Sequence, residues 1–446
     1  MRRLSRLLCS LVIVLAISLS TLSCSSDDSP VPEPEVIPDQ DTGMDDPDPE
    51  EEEEEDPLGV IEALNPELTA DNYVLVNDAA ANRVYLMDKE ANLLQEWELS
   101  NNIGNDVFLL PNGNLLASLE ADDPKITLGG QGGKLQFIAP DNKIEWNFNY
   151  SSEDAETHHD AELLPNGNVI ALVWEKRSLE EAEMAGSDLG IDLFPEAVIE
   201  VNPQTDEIVW EWHAWDHLIQ DIDDTKENFG VISGNPQLID LNYVPNEKGD
   251  IMHANGIAYD AVNDLIFISV NFYHEVWVID HSTTTAEAAS DSGGNYGKGG
   301  DLIYRFGNPE AYKNTAGERL FYNNHFPNLL SGEDLGRMLI FSNRMAEEVD
   351  QSIVYELQMP ETFSLESGVD NEPEVVWSFT DPDLFAPRVS GAVKLPNGNV
   401  MITEGDFGIW EVTRDGEVVW KFSQNGFFWR AYHYDKDAPE IQALGL

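Results

Sequence analysis

Three histidines hold the same place in three copies of one repeat. The phrase LPNGN occurs at Leu110–Asn114, Leu164–Asn168 and Leu395–Asn399, and His159 stands five residues before the second of these. Segments opening at His253 (HANGIAYDAVNDLIFIS) and His325 (HFPNLLSGEDLGRMLIFS) read as degenerate copies that begin on histidine, and the same offset in the first and last copies falls on Asn105 and Ser390. A repeat protein wound around an axis gathers equivalent positions, so the three imidazoles are expected to meet around a common cavity. A neutral imidazole can act as nucleophile, proton carrier or metal ligand near physiological pH. Asp160 and Asn255 are placed to orient the neighbouring rings. His158, one residue out of register, should face the other way along a strand.

Other chemistries lack their signatures. Three histidines match a zinc site in number, but no HExxH or paired-cysteine spacing accompanies them, so no metal is expected. No GxSxG, P-loop or dinucleotide fingerprint occurs. The glycine-rich stretch SGGNYGKGGD (292–301) opens no helix and reads as a loop. A lone histidine is more often a hydrogen-bonded structural residue than a reactive one. It is the shared offset that sets His159, His253 and His325 apart.

The elements that must position them are short β-branched and aromatic runs between Gly, Asn, Asp and Pro turns, the pattern of an all-β protein. Each LPNGN reads as a strand end and a tight hairpin, with Asn-Gly supplying the positive φ angles of a two-residue turn. A second half-repeat pairs a strand ending in Asp or Asn with a Trp-bearing strand, as in VIEVNPQTDEIVWEW (198–212) and IWEVTRDGEVVWKF (409–422). The periodic tryptophans read as blade packing. Five full units run from 105 to 422. Tyr73–Leu99 supplies only the later strands of a sixth, and FFWRAYHY (427–434) can supply its inner strand. The expectation is a single six-bladed β-propeller, with N- and C-terminal segments closing one blade. The insertions at 175–195, 215–250 and 281–300 are expected as loops gathered on one rim, near the channel mouth.

Composition bounds the rest. Residues 1–24 carry Arg2, Arg3 and Arg6, an apolar run and then Cys24, the form of a lipoprotein signal peptide with Cys24 as the lipidated residue. Cys9 would leave with that signal, so no disulfide is available to the mature chain. Residues 25–57 hold sixteen of the 84 acidic residues and no Lys or Arg, and are expected to be a disordered tether. Residues 58–446 are expected to form the catalytic propeller. The protein is then held by its lipid in the bacterial outer membrane, on the periplasmic or cell-surface side, and touches the membrane through the anchor alone. The net charge of -60 argues against nucleic acid as a partner. Oligomeric state is not legible.

The chain also resembles the bacterial arylsulfate sulfotransferase family. The resemblance lies in His159-Asp160 followed by PNGN, in D-x-x-H-x-N at Asp250–Asn255, and in SGAVKLPNGNVMITEGDFGIWEVT (390–413). It extends to WEWHAWDHLIQD (210–221), VIDHSTTTAEAAS (278–290), GGDLIYRFGNP (299–309) and WRAYHYDKDAP (429–439). It implies transfer of a sulfuryl group from a phenolic sulfate ester to a phenolic acceptor through a sulfated histidine, with no nucleotide donor and no cofactor. The nucleophile then falls on His325, aligned through Phe341-Ser342-Asn343-Arg344, with His159 and His253 in support. Asn255, Asn271 and His158 become candidate substrate-binding residues. One departure stands out. The family's best-known members carry an arginine eighteen residues after the second histidine, where this chain has Asn271. Arg344, Arg388 or Arg430 would have to replace it. Two other readings stay open: a sulfatase- or lactonase-like propeller hydrolase, and a non-catalytic surface propeller that binds a glycan or a protein.

Overall fold

The LPNGN phrase folds the same way in all three copies. In the second, the Leu164 carbonyl accepts from Gly167 N–H at 2.9 Å and Leu164 N–H donates to the Asn168 carbonyl at 2.8 Å. Of its residues only the glycine has positive φ (83° at Gly113, 86° at Gly167, 89° at Gly398). The loop is therefore the three residues Pro-Asn-Gly, a tight turn with a left-handed glycine after it, and not the two-residue hairpin expected above. The asparagines serve structure. Asn166 and Asn168 both donate to Glu200, and Asn397 and Asn399 to Glu411, each glutamate lying on the third strand of its sheet.

The computed structural model describes residues 58–446. The expected signal peptide, Cys24 and the acidic tether lie outside the described residues. The chain is a six-bladed β-propeller whose blades are four-stranded antiparallel sheets, numbered here in chain order of their inner strands. Those inner strands are Ile103–Leu109, Ala155–Leu163, Ala254–Asp260, Tyr322–Leu329, Gly391–Lys394 and Phe428–Asp435. The last closes the ring: it pairs with Asn72–Asp78 and gives the first fragment its missing inner edge. Val60–Leu64 adds a fifth strand to the outer edge of blade 5, antiparallel to Val418–Ser423, with Val60 opposite Ser423. Hydrophobic layers fill the wedges between blades and bury Trp97, Trp212, Trp277, Trp410 and Trp420.

Two of the three insertions gather at the end of the ring opposite the LPNGN turns. They interlock through Asn228 and Asn242, which donate to the carbonyls of Ala185 and Gly186. The third leaves from the LPNGN end, where His281 bonds Asp264 and Glu200. It then packs along the outer strand of blade 2, so that Trp210 donates to Thr283 and Trp212 to the Gly300 carbonyl. The expected single cluster of loops is thus two insertions at the mouth and one sealing a blade edge.

Candidate active site

The inner strands are irregular just where the chemistry-bearing residues sit. In blade 2 the ladder pairs Leu172 with His158 and Ala171 with Ala161, leaving His159 and Asp160 as a bulge. His159 takes φ of 50°, and His253, just ahead of its strand, 55°. Left-handed backbone at a non-glycine residue costs about 1 kcal/mol or more and must be held by its surroundings. Here it re-aims the side chain. His158 stays in the ladder, stacked on Trp174 with ring centroids 3.9 Å apart, while His159 swings to the axis.

The result is a small cavity of about 10 Å³, to which every blade contributes. Asn105, His159, Asn255, His325, Ser390 and Arg430 come from blades 1 to 6 in turn, and Asp106, Val389 and Trp429 complete the lining. The shared offset is real for His159 and His325, each four residues before the end of its inner strand. It fails for His253, seven residues before Asp260. His253 sits nearer the mouth, its ring 4.8 Å from that of His159 and stacked on Phe272 at 4.6 Å. Phe272 also lines an outer recess of about 560 Å³ with Tyr243, His274 and Asn323.

Each ring is oriented by a partner. The Asn343 side-chain nitrogen donates to the carbonyls of Ala386 and Val389, which fixes its oxygen toward His325 Nδ1 at 2.6 Å. His325 therefore carries its proton on Nδ1 and its lone pair on Nε2. Burial drives its pKa down to about 3, so the ring is neutral at ordinary pH. His253 Nδ1 meets Asp250 Oδ2 at 2.6 Å. Burial pulls His253 down, but the Asp250 carboxylate outweighs it, and the ring stands above the usual histidine value. His159 Nδ1 lies 2.8 Å from His158 Nδ1, and burial first, then the neighbouring His253, holds it well below that value.

Of the three arginines named above, the structure brings only Arg430 into the cavity. Its guanidinium bonds Asp106 at 3.0 Å, Asp160 at 2.8 Å and the Asn255 carbonyl at 3.0 Å, and lies over the Phe326 ring. Arg430 also lines a second cavity of about 210 Å³ on its far side, and so separates the two. Arg344, the last residue of its strand, pairs with Asp350, and Arg388, in the loop before Gly391–Lys394, lies near Asp406 and over Phe427; neither lines the cavity. Asp160 orients no imidazole; it holds Arg430 and accepts from Ile257 N–H. Asn255 and Asn271 both donate to the Asn324 carbonyl, next to His325, so they brace that strand. Asn271 and His158 do not line the cavity.

Sequence reading missed Asn343 and Asp250 as ring partners, Glu196 behind His158, Trp429, and the loop at Gly129–Gly130. A Cβ on Gly130 would stand 2.1 Å from His159 Nε2. The four glycines of LGGQGG (128–133) were the available signal for that close approach. Among the described residues no group of three His, Cys, Asp or Glu side chains is arranged to hold a metal ion.

The family model for arylsulfotransferase (ASST) matches residues 62–436. No curated protein matches the sequence. A structure from Bacteroides fragilis assigned as a 6-phosphogluconolactonase is 13% identical, with 82% of this chain and 85% of that one covered and a TM-score of 0.38. The WD40 domain of Toxoplasma gondii coronin is 8% identical, with 81% and 68% covered and a TM-score of 0.38.

Proposed function

Because the chain belongs to the arylsulfotransferase (ASST) family, we propose that it moves a sulfuryl group between phenols through a sulfated His325, with no nucleotide donor. The observation that carries the reading is the tautomer of His325, set by Asn343, on a neutral buried ring that lines the axial cavity. His325 Nε2 attacks the sulfur of an aryl sulfate. The N–S bond forms as the S–O bond breaks, and the electron pair leaves on the phenolic oxygen, which takes a proton from His159 or His253. In the second half the acceptor phenol's oxygen attacks sulfur. The N–S pair returns to Nε2, and the acceptor's proton goes back to the same histidine. Sulfation makes the His325 ring cationic at Nδ1–H, and the Asn343 oxygen stabilises that charge. Arg430 lends positive charge near the sulfuryl oxygens, in the place of the arginine missing at 271, although two carboxylates share it.

The test is turnover of 4-nitrophenyl sulfate with a phenol acceptor. Nitrophenol release should rise with acceptor concentration and fall by roughly a thousand-fold or more in His325→Ala. Mass spectrometry of the donor-treated protein should place one sulfuryl group on the His325 peptide. Release that ignores the acceptor turns the reading toward a hydrolase, and unchanged release in His325→Ala removes it.

We further propose the anchoring expected of residues 1–57. Cells given a clickable fatty acid should label the protein, and Cys24→Ala should abolish the label.

A further inference from the structure

Behind the cavity lies a bonded chain of which the reaction above uses only the last member, His159. Glu196 Oε2 is 2.8 Å from His158 Nε2, and His158 Nδ1 is 2.8 Å from His159 Nδ1. All three are buried, and only His159 reaches the cavity. We propose that Glu196, His158 and His159 form a proton relay that lets His159 give a proton to the departing phenolate and recover it from the acceptor, without either ring becoming charged. The proposal rests on the sulfuryl-transfer reading above.

The contacts admit two complete arrangements. In one, a protonated Glu196 donates to His158 Nε2, His158 Nδ1–H donates to His159 Nδ1, and His159 presents Nε2–H to the cavity. In the other, Glu196 is ionised and accepts from His158 Nε2–H. His158 Nδ1 then accepts from His159 Nδ1–H, and His159 Nε2 holds a lone pair. Passing from the first to the second breaks the Nε2–H bond of His159 and hands the proton to the phenolic oxygen. His159 Nδ1 takes the proton of His158 Nδ1, and His158 Nε2 takes that of Glu196. The acceptor phenol's proton reverses each transfer. One proton leaves and one returns, so the cycle balances.

The surroundings favour the first arrangement at rest. Glu196 is faced by His158, by Trp174 of the adjacent strand, by Asp250 and His253, and by Ala254 N–H, which donates to its Oε1 at 2.7 Å. Burial and then Asp250 push its pKa well above the carboxylate range, while burial drives His158 to about 3. An acid held behind two neutral rings avoids placing a cation in a dry site.

Glu196→Gln separates this role from packing. Ala254 N–H fixes the amide oxygen at the Oε1 position, so the amide nitrogen must donate to His158 Nε2. His158 is then held as the Nδ1–H form and His159 as Nε2–H, with no proton behind them to move. The variant should lose roughly ten-fold or more additional kcat/KM on phenyl sulfate than on 4-nitrophenyl sulfate, whose phenolate departs with little help. His158→Phe, which keeps a ring on Trp174, should show the same leaving-group dependence. Equal losses on both donors, or no loss on either, overturn the relay. Nitrogen-15 NMR of the histidine rings is read in parallel. The resting wild type and Glu196→Gln should both show Nδ1–H at His158 and Nε2–H at His159, and any other pair of tautomers in Glu196→Gln overturns the relay. A wild type that transfers from no aryl sulfate removes the sulfuryl-transfer reading, while the ring nitrogens still decide the relay.

Discussion

At the scale of single residues, burial and the groups beside each histidine set its behaviour. Burial first, with nearby positive groups behind it, lowers His325 and His274, both driven to about 3. His253 is the exception because Asp250 faces it. Its folded pKa is raised, so its contribution to stability is complete below about 6.5 and fades as pH rises through the folded value. Asp250→Asn should move the His253 NMR titration midpoint from above 6.5 to below it, and an unmoved midpoint would refute the assignment to Asp250. The histidines themselves could be picked out of the sequence because they stand near recognisable turns. Asn343, Asp250 and Glu196 could not be assigned to them. Asn343 and Glu196 reach their histidines across strands, Asp250 reaches His253 from three residues earlier in the same loop, and bulges such as that at His159 and Asp160 shift the register by amounts no periodicity records.

The elements were legible to a different degree. Alternating apolar runs, repeated turns and the split sixth blade carried the propeller and its closure, because ring closure is the economical answer to an unpaired edge. The fifth strand Val60–Leu64 was not read, since its burial alternates between exposed and half-buried and leaves little apolar signal. The offset argument expected the three histidines to meet because of a shared position, but His253 reaches its neighbours from ahead of its strand, through the left-handed backbone at its own position. Closure has an energetic side. Phe428–Asp435 supplies the inner strand of blade 6 and, in Arg430, the charge between the two cavities. Removing residues 427–446 should therefore abolish the cooperative thermal transition seen by circular dichroism, rather than lower its midpoint by a few degrees. A sharp transition in the truncated protein would show that the remaining five blades close without it.

For the whole molecule, buried titratable groups of opposite tendency shape stability against pH. His158, His274 and His325, all near 3, bind fewer protons folded than unfolded below about 6.5, so each removes stability as pH falls. Glu162 and Glu372, both pushed up to about 8 by burial, bind more protons folded than unfolded above about 4.5, so each removes stability as pH rises toward 8. The two sets oppose one another between about 4.5 and 6.5. Thermal midpoints should form a plateau there and fall on both sides, and a midpoint that climbs steadily to pH 8 would contradict this. Added salt should lift the alkaline side most, by screening a chain of net charge -60. The fifth strand of blade 5 also sets a direction. Val60 lies opposite Ser423, at the end of the blade that carries Ser390 and the cavity, and the chain runs from there toward the LPNGN end. The described chain therefore enters the ring at its open end, beside the cavity rather than beside the LPNGN turns.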